Sequence, residues 1–152
     1  MDFDYIMGLS KVGYLDIIPY DNNSKINFSD MELSFSKNPH PLITYSTKLE
    51  TEGLKVVYSS DTGYVKNPLE KFAKDANLLI CESTFLKGQI KTEDSHLFAY
   101  EAGIIARNAN VQKLLLTHFW PEIDKQNYVN EAKEYFDNVE AAVEGKVLRL
   151  KR

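Results

Sequence analysis

Apolar and polar positions follow two different patterns along this chain. Up to about residue 55 the apolar residues fall in short β-type runs. Residues 14–20 (YLDIIPY) predict a strand, and Asp21-Asn22-Asn23-Ser24 a polar turn after it. Ile26 and Phe28, then Leu33 and Phe35, predict two short alternating strands with a turn at Ser29-Asp30. Residues 43–49 and 54–60 read as a hairpin, because Thr51-Glu52-Gly53 is turn chemistry between two β-rich runs.

Beyond residue 55 short apolar strands alternate with helices. A helix is expected from Pro68 to Ala76, with Asn67 as its cap and proline at the first helical position. Leu78 to Cys81 predicts a strand, and His96 to Asn108 a longer helix capped by Asp94 or Ser95. Lys113 to Thr117 predicts the next strand and Tyr128 to Phe136 the next helix. Ala141 to Leu150 closes the pattern as strand, with a turn at Glu144-Gly145. The expectation is a single α/β domain over 1–152 with a mixed sheet, a β-meander over 1–55 and alternating β/α over 56–152.

Composition adds bounds. The 152 residues are 43% hydrophobic and 26% charged, ordinary for a globular domain with its own core. A net charge of -4 argues against a non-specific polyanion binder but leaves room for a local phosphoester site. No apolar run is long enough to span a bilayer. The single cysteine, Cys81, cannot form an internal disulfide, so the cytoplasm is the expected location. Cys81 itself reads as a small buried hydrophobe, since no base is indicated beside it.

Chemistry-bearing residues are few and well placed. His40 sits in Asn38-Pro39-His40-Pro41, His96 opens the long helix, and His118 follows the apolar run Leu114-Leu115-Leu116. Asp61 ends its own strand in Ser59-Ser60-Asp61-Thr62-Gly63. In α/β sheets, strand ends present side chains from several strands to one cleft. Three imidazoles and a carboxylate gathered there would suit zinc or a similar divalent ion. Each residue also has a structural reading: Asp61 as a turn former, His40 as a residue beside prolines, His96 as an ordinary first-turn residue. Spacing by itself leaves both readings open.

A set of motifs in order extends this picture. They are Pro39-His40-Pro41 with Tyr45, Val57-Tyr58-Ser59-Ser60-Asp61-Thr62, and Leu79-Ile80-Cys81-Glu82-Ser83-Thr84-Phe85. Ser95-His96 with Glu101-Ala102-Gly103 follows, and then Leu115-Leu116-Thr117-His118-Phe119. In this order they resemble the C-terminal half of the metallo-β-lactamase-fold hydrolases, in particular the ribonuclease Z-like branch. The resemblance implies an αββα fold, with helices on one face of this chain's sheet. It implies a pair of zinc ions, with His40, Asp61 and His118 among the metal ligands and Asp61 bridging the two. It also gives His96, oriented by Glu82, a role at the phosphate and leaving oxygen, so that Asp61, Glu82 and His96 form the catalytic set. The substrate implied is a phosphodiester or RNA, attacked by a water that the two cations activate.

The sequence departs from that family in three respects. Ser95-His96-Leu97-Phe98 differs from the usual pattern after the histidine, and Ser60 stands where glycine is common. The His-x-His-x-Asp-His signature is absent, and no histidine precedes His40. The expectation is therefore a truncated or split hydrolase, inactive alone. One apolar sheet face would then need cover from a second chain or another copy. The alternative is a non-catalytic half-fold that binds a partner.

Overall fold

The change of pattern near residue 55 is also a change of strand direction in the computed structural model, which describes residues 8, 10–91 and 93–150. β1 (Lys25–Phe28), β2 (Met31–Lys37), β3 (Tyr45–Thr51) and β4 (Leu54–Tyr58) form an antiparallel meander. β5 (Leu78–Glu82), β6 (Leu114–Thr117) and β7 (Val139–Ala141) continue the sheet in parallel from β4. The result is one seven-stranded mixed sheet whose spatial order is its sequence order. The β3–β4 turn is tight because Glu52 and Gly53 both take positive φ, +43° and +82°, which matches the twist of a two-residue hairpin.

Parallel neighbours need crossovers. These carry α1 (Leu69–Phe72), α2 (Ala99–Asn108) and α3 (Lys125–Lys133). Right-handed crossovers that all step the same way along a sheet put their helices on the same face. On that face Val57, Leu79, Cys81, Leu114, Leu116 and Val139 meet Leu69, Ala102, Ile105, Tyr128 and Ala132 in one buried core. Burial pushes the Cys81 thiol up, as expected of a packing residue. Helices α2 and α3 touch backbone to backbone. A Cβ on Gly103 would lie 2.6 Å from the Ala132 carbonyl oxygen, so only glycine fits there.

The opposite face carries a continuous apolar row, because register aligns Ile26, Leu33, Leu49, Val56 and Leu78 across five strands. Phe28 is 51% exposed and Tyr58 45% exposed beside that row. Residues 14–20 form no strand, contrary to the sequence expectation. Pro19 removes a ladder donor, and Tyr20 instead stacks on Phe35 at 4.1 Å and meets Tyr45 edge-on.

Several boundaries also differ, each for a tertiary reason. The first crossover helix stops at Phe72 rather than Ala76, because Asp75 turns left-handed and donates its N–H to the Ala109 carbonyl. It also starts one residue late, at Leu69 with Pro68 in the cap position, and Asn67 Oδ1 accepts Leu69 N–H from one residue further out. α2 starts at Ala99 rather than His96, because 96–98 run extended: Phe85 N–H donates to Leu97 O and Ala99 N–H to Phe85 O. α3 starts earlier than expected, at Lys125, where Asp124 caps Gln126 N–H, and ends at Lys133. The last strand is Val139–Ala141, and 142–150 is irregular with the expected turn at Glu144-Gly145.

Candidate metal centre

The site stands at the carboxyl ends of β4, β5 and β6, where the three parallel strands release their loops on one side. Asp61 follows β4. Its backbone carbonyl is gripped by Asn38 Nδ2 at 3.1 Å and Thr44 Oγ1 at 2.9 Å. Asn38 is buried, and also donates to Ser59 O and accepts from Ser46 Oγ. This ties the loop after β4 to the strand beside it. Ser60 takes φ +54°, a left-handed backbone position that the serine holds at some strain.

Glu82 is the last residue of β5 and is 1% exposed at its side chain. Every side of its carboxylate is used. Oε1 accepts from Thr62 N–H at 2.9 Å and faces His96 Nδ1 at 3.0 Å. Oε2 accepts from Thr84 Oγ1 at 2.9 Å, Leu97 N–H at 3.1 Å and Thr84 N–H at 3.3 Å. A buried carboxylate with this many donors is a fixed anion that orients its neighbours, with little capacity left to bind a cation. No buried side-chain polar atom among the described residues lacks a partner.

His118 follows β6 with φ +62°, a left-handed conformation rare for a side-chain-bearing residue and typical of functional loops. Its Nδ1 is 2.7 Å from Thr84 Oγ1, and its Nε2 is 3.8 Å from Asp61 Oδ1. The His96 ring lies between two others, 5.2 Å from His118 and 5.4 Å from His40 by ring centroid. Asp61, Glu82, His96 and His118 each offer a ligand-type atom, all within 4.8 Å of one another. His40 is outside that group, although its ring touches His96. Its Nδ1 is anchored against the Leu42 backbone. Of the residues predicted from sequence, Asp61, Glu82, His96 and His118 therefore converge, and His40 stands one ring further out. Burial, then the negative charges of Asp61 and Glu82, raise the Tyr58 phenol above its ordinary value.

The loop that carries His96 is held from two directions. Asp94, expected to cap the helix, instead accepts Tyr64 N–H and Val65 N–H at 3.0 and 2.7 Å. Lys91 Nζ bridges Asp94 and the His96 carbonyl at 2.8 and 2.9 Å. Burial opposes ionisation of Asp94, but Lys91 and the two N–H groups outweigh it and hold the carboxyl below its usual value. Gly63 is the junction. Its N–H donates to Pro39 O, which seats the His40 loop, and its α-carbon lies directly against the Asp94 backbone. Asn38, Gly63 and Thr84 were not identified as functional from the sequence. Each acts through a distant partner, and the available signal was position: Thr84 lies inside a quoted motif, and Asn38 and Gly63 directly flank two others. Trp120, 48% exposed, lines a cleft with His118, Phe119 and Lys125 beside the site.

Comparison with known proteins agrees with this geometry. A family model described as the Beta-lactamase superfamily domain matches residues 9–119. The Probable metallo-hydrolase YhfI of Bacillus subtilis is 33% identical over 120 residues, 79% of this chain and 49% of that protein. Ribonuclease Z of Clostridium acetobutylicum is 33% identical over 118 residues, 69% of this chain and 38% of the relative. The crystal structure of YhfI matches with a TM-score of 0.79 at 30% identity, over 90% of this chain and 58% of that one. Human tRNase Z, short form, matches in fold alone, with a TM-score of 0.66 at 20% identity over 84% and 46% of the two chains. The chain spans about half the length, or less, of these curated relatives. Motif order, sheet topology and family match lead to one conclusion: the chain belongs to the metallo-β-lactamase superfamily, with YhfI and ribonuclease Z among its relatives.

Proposed function

We propose that this chain is a zinc-dependent hydrolase domain acting on phosphodiesters, RNA included, in the cytoplasm. Asp61 and His118 would hold one ion, and Asp61 would be shared with a second ion to which His40 contributes. The observation that carries the reading is the convergence of Asp61, His96 and His118 over a carboxylate already saturated by hydrogen bonds. Ligand atoms on one tetrahedral zinc lie about 3.3 Å apart, given bonds of about 2.0 Å. Asp61 Oδ1 and His118 Nε2 stand 3.8 Å apart, so they would have to draw slightly closer to share an ion. The metal would supply Lewis-acid polarisation of a phosphoryl oxygen.

The protein's own groups supply the rest. His96, fixed by Nδ1 on Glu82, leaves Nε2 to give a proton to a leaving oxygen. Glu82, held by backbone N–H groups, keeps the ring in place and offsets the charge of an imidazolium. The choice of phosphodiester rests on the ribonuclease Z relatives. With three histidines and no His-x-His-x-Asp-His run, the remaining ligands would come from a segment outside these 152 residues, so the chain alone would be inactive. No helix among the described residues is long and apolar enough to cross a membrane.

A second reading is a partner-binding half-fold, favoured by the apolar row from Ile26 to Leu78 and the exposed Phe28 and Tyr58. A second chain or another copy would cover that face. One assay pair separates the readings. Zinc or manganese at about ten times its dissociation constant should raise the melting temperature by about 3–6 °C. Asp61→Ala should abolish the rise, and a bis(p-nitrophenyl) phosphate reporter should stay at the metal blank. An equal rise in the variant overturns the site. Reporter turnover that Asp61→Ala abolishes overturns the need for a second ligand set.

A further inference from the structure

The Thr84 hydroxyl has one proton and two close partners, Glu82 Oε2 at 2.9 Å and His118 Nδ1 at 2.7 Å. Glu82 Oε2 already faces the N–H groups of Leu97 and Thr84, which can only donate, so this oxygen is an acceptor. The Thr84 proton therefore points to Glu82, and an oxygen lone pair faces His118. A 2.7 Å approach of two lone pairs would be repulsive, so the ring nitrogen must bring the proton. In a neutral imidazole with Nδ1 protonated, the free lone pair is on Nε2, the atom turned towards Asp61.

We infer that Thr84 is a positioning residue: it relays the Glu82 carboxylate to His118, fixes the Nδ1–H tautomer, and presents Nε2 as a ligand atom beside Asp61. Glu82 then sets both histidines from one buried point, His96 directly and His118 through a hydroxyl. The backbone supports the same geometry. Ser83 N–H and Ser83 Oγ both donate to Thr117 O, which fixes the residue before His118, and Tyr128 Oη donates to Thr84 O at 3.4 Å. A metal-ligating histidine whose second nitrogen is held in this way binds more tightly, because its tautomer and orientation are set in advance.

This inference rests on His118 being a metal ligand, but the tautomer can be read without metal. In the metal-free ¹⁵N-labelled chain, at a pH where imidazoles are neutral, two-bond ¹H–¹⁵N correlations distinguish protonated from bare ring nitrogens. Wild type and Thr84→Ser should both show His118 protonated on Nδ1. Thr84→Val, which keeps the shape and removes the hydroxyl, should lose that preference. Its zinc affinity should fall about tenfold, whereas Thr84→Ser should stay within about threefold of wild type. A wild-type His118 protonated on Nε2 overturns the inference and needs no variant to fold, as does a Thr84→Val protein still protonated on Nδ1. An Nδ1–H wild type that binds no zinc upholds the role of Thr84 and overturns the metal reading instead.

Discussion

Replacing Glu82 with alanine is expected to remove most of this chain's stability. The carboxylate is 1% exposed and accepts from the backbone N–H groups of Thr62, Thr84 and Leu97, which belong to two different loops. Alanine leaves all three backbone donors buried without partners, and His96 Nδ1 and the Thr84 hydroxyl each lose the carboxylate, the hydroxyl keeping only His118. A buried donor left unsatisfied costs about 1–3 kcal/mol. Three of them cost on the order of 3–9 kcal/mol, against a total of about 5–15 kcal/mol for a typical domain. Urea unfolding should show a collapsed midpoint or no cooperative transition. Glu82→Gln keeps one acceptor and places an amide donor against another donor, so it should fall between alanine and wild type. A loss under about 1 kcal/mol for alanine would show that water replaces the carboxylate.

The second large effect is expected at Gly63. A Cβ there would collide with the Asp94 carbonyl oxygen and sit 2.8 Å from its carbon, both backbone atoms that no rotamer can move away. Gly63→Ala must push apart the loop after Asp61 and the loop that carries His96. The Tyr64 and Val65 N–H bonds to Asp94 and the Gly63 bond to Pro39 would break with it. Overpacking of this kind costs about 1–3 kcal/mol, and more when backbone must move. Hydrogen exchange should show Tyr64 and Val65 unprotected in the variant while the β4–β5 ladder amides stay protected. Unchanged protection at both residues would show that the two loops are not locked together as described.

Much of this architecture could be read from the sequence, for physical reasons that also explain the failures. The strands of the parallel half are short apolar runs whose helix-facing residues are buried, and their apolar character is dictated locally. The Glu52-Gly53 turn is likewise local, since two left-handed residues suit a tight hairpin. Residues 14–20 have strand composition, but Tyr20 spends its ring on Phe35 and Tyr45, and 14–20 form no strand among the described residues. Asp94 has the chemistry of a helix cap, yet its carboxylate is drawn to amides thirty residues earlier. Local propensity was overridden there by a tertiary bond.

The site divides in the same way. Asp61, His96 and His118 are legible because strand ends in an α/β sheet converge and motif order fixes which ends these are. Glu82 was legible as an orienter of His96, and its geometry supports that role. Thr84 was not, because its importance arises from a contact with a ring 34 positions away in the chain. Ser60, noted in the sequence as a departure from glycine, stands at a left-handed backbone position. His40 illustrates a limit of spacing. Its loop is seated by Gly63 and its ring reaches His96, but the cluster of ligand atoms forms without it.

A zinc-binding double-mutant cycle at Asp61 and His118 tests the central claim most directly. Isothermal titration of wild type, Asp61→Ala, His118→Ala and the double variant gives each affinity and the coupling between the two residues. Two ligands of one ion act as a unit. Each single substitution should therefore weaken zinc binding at least about tenfold, and the double variant should bind no more weakly than the weaker single. Wild-type affinity in either single variant, or losses that simply add in the double, would contradict a shared ion at these strand ends.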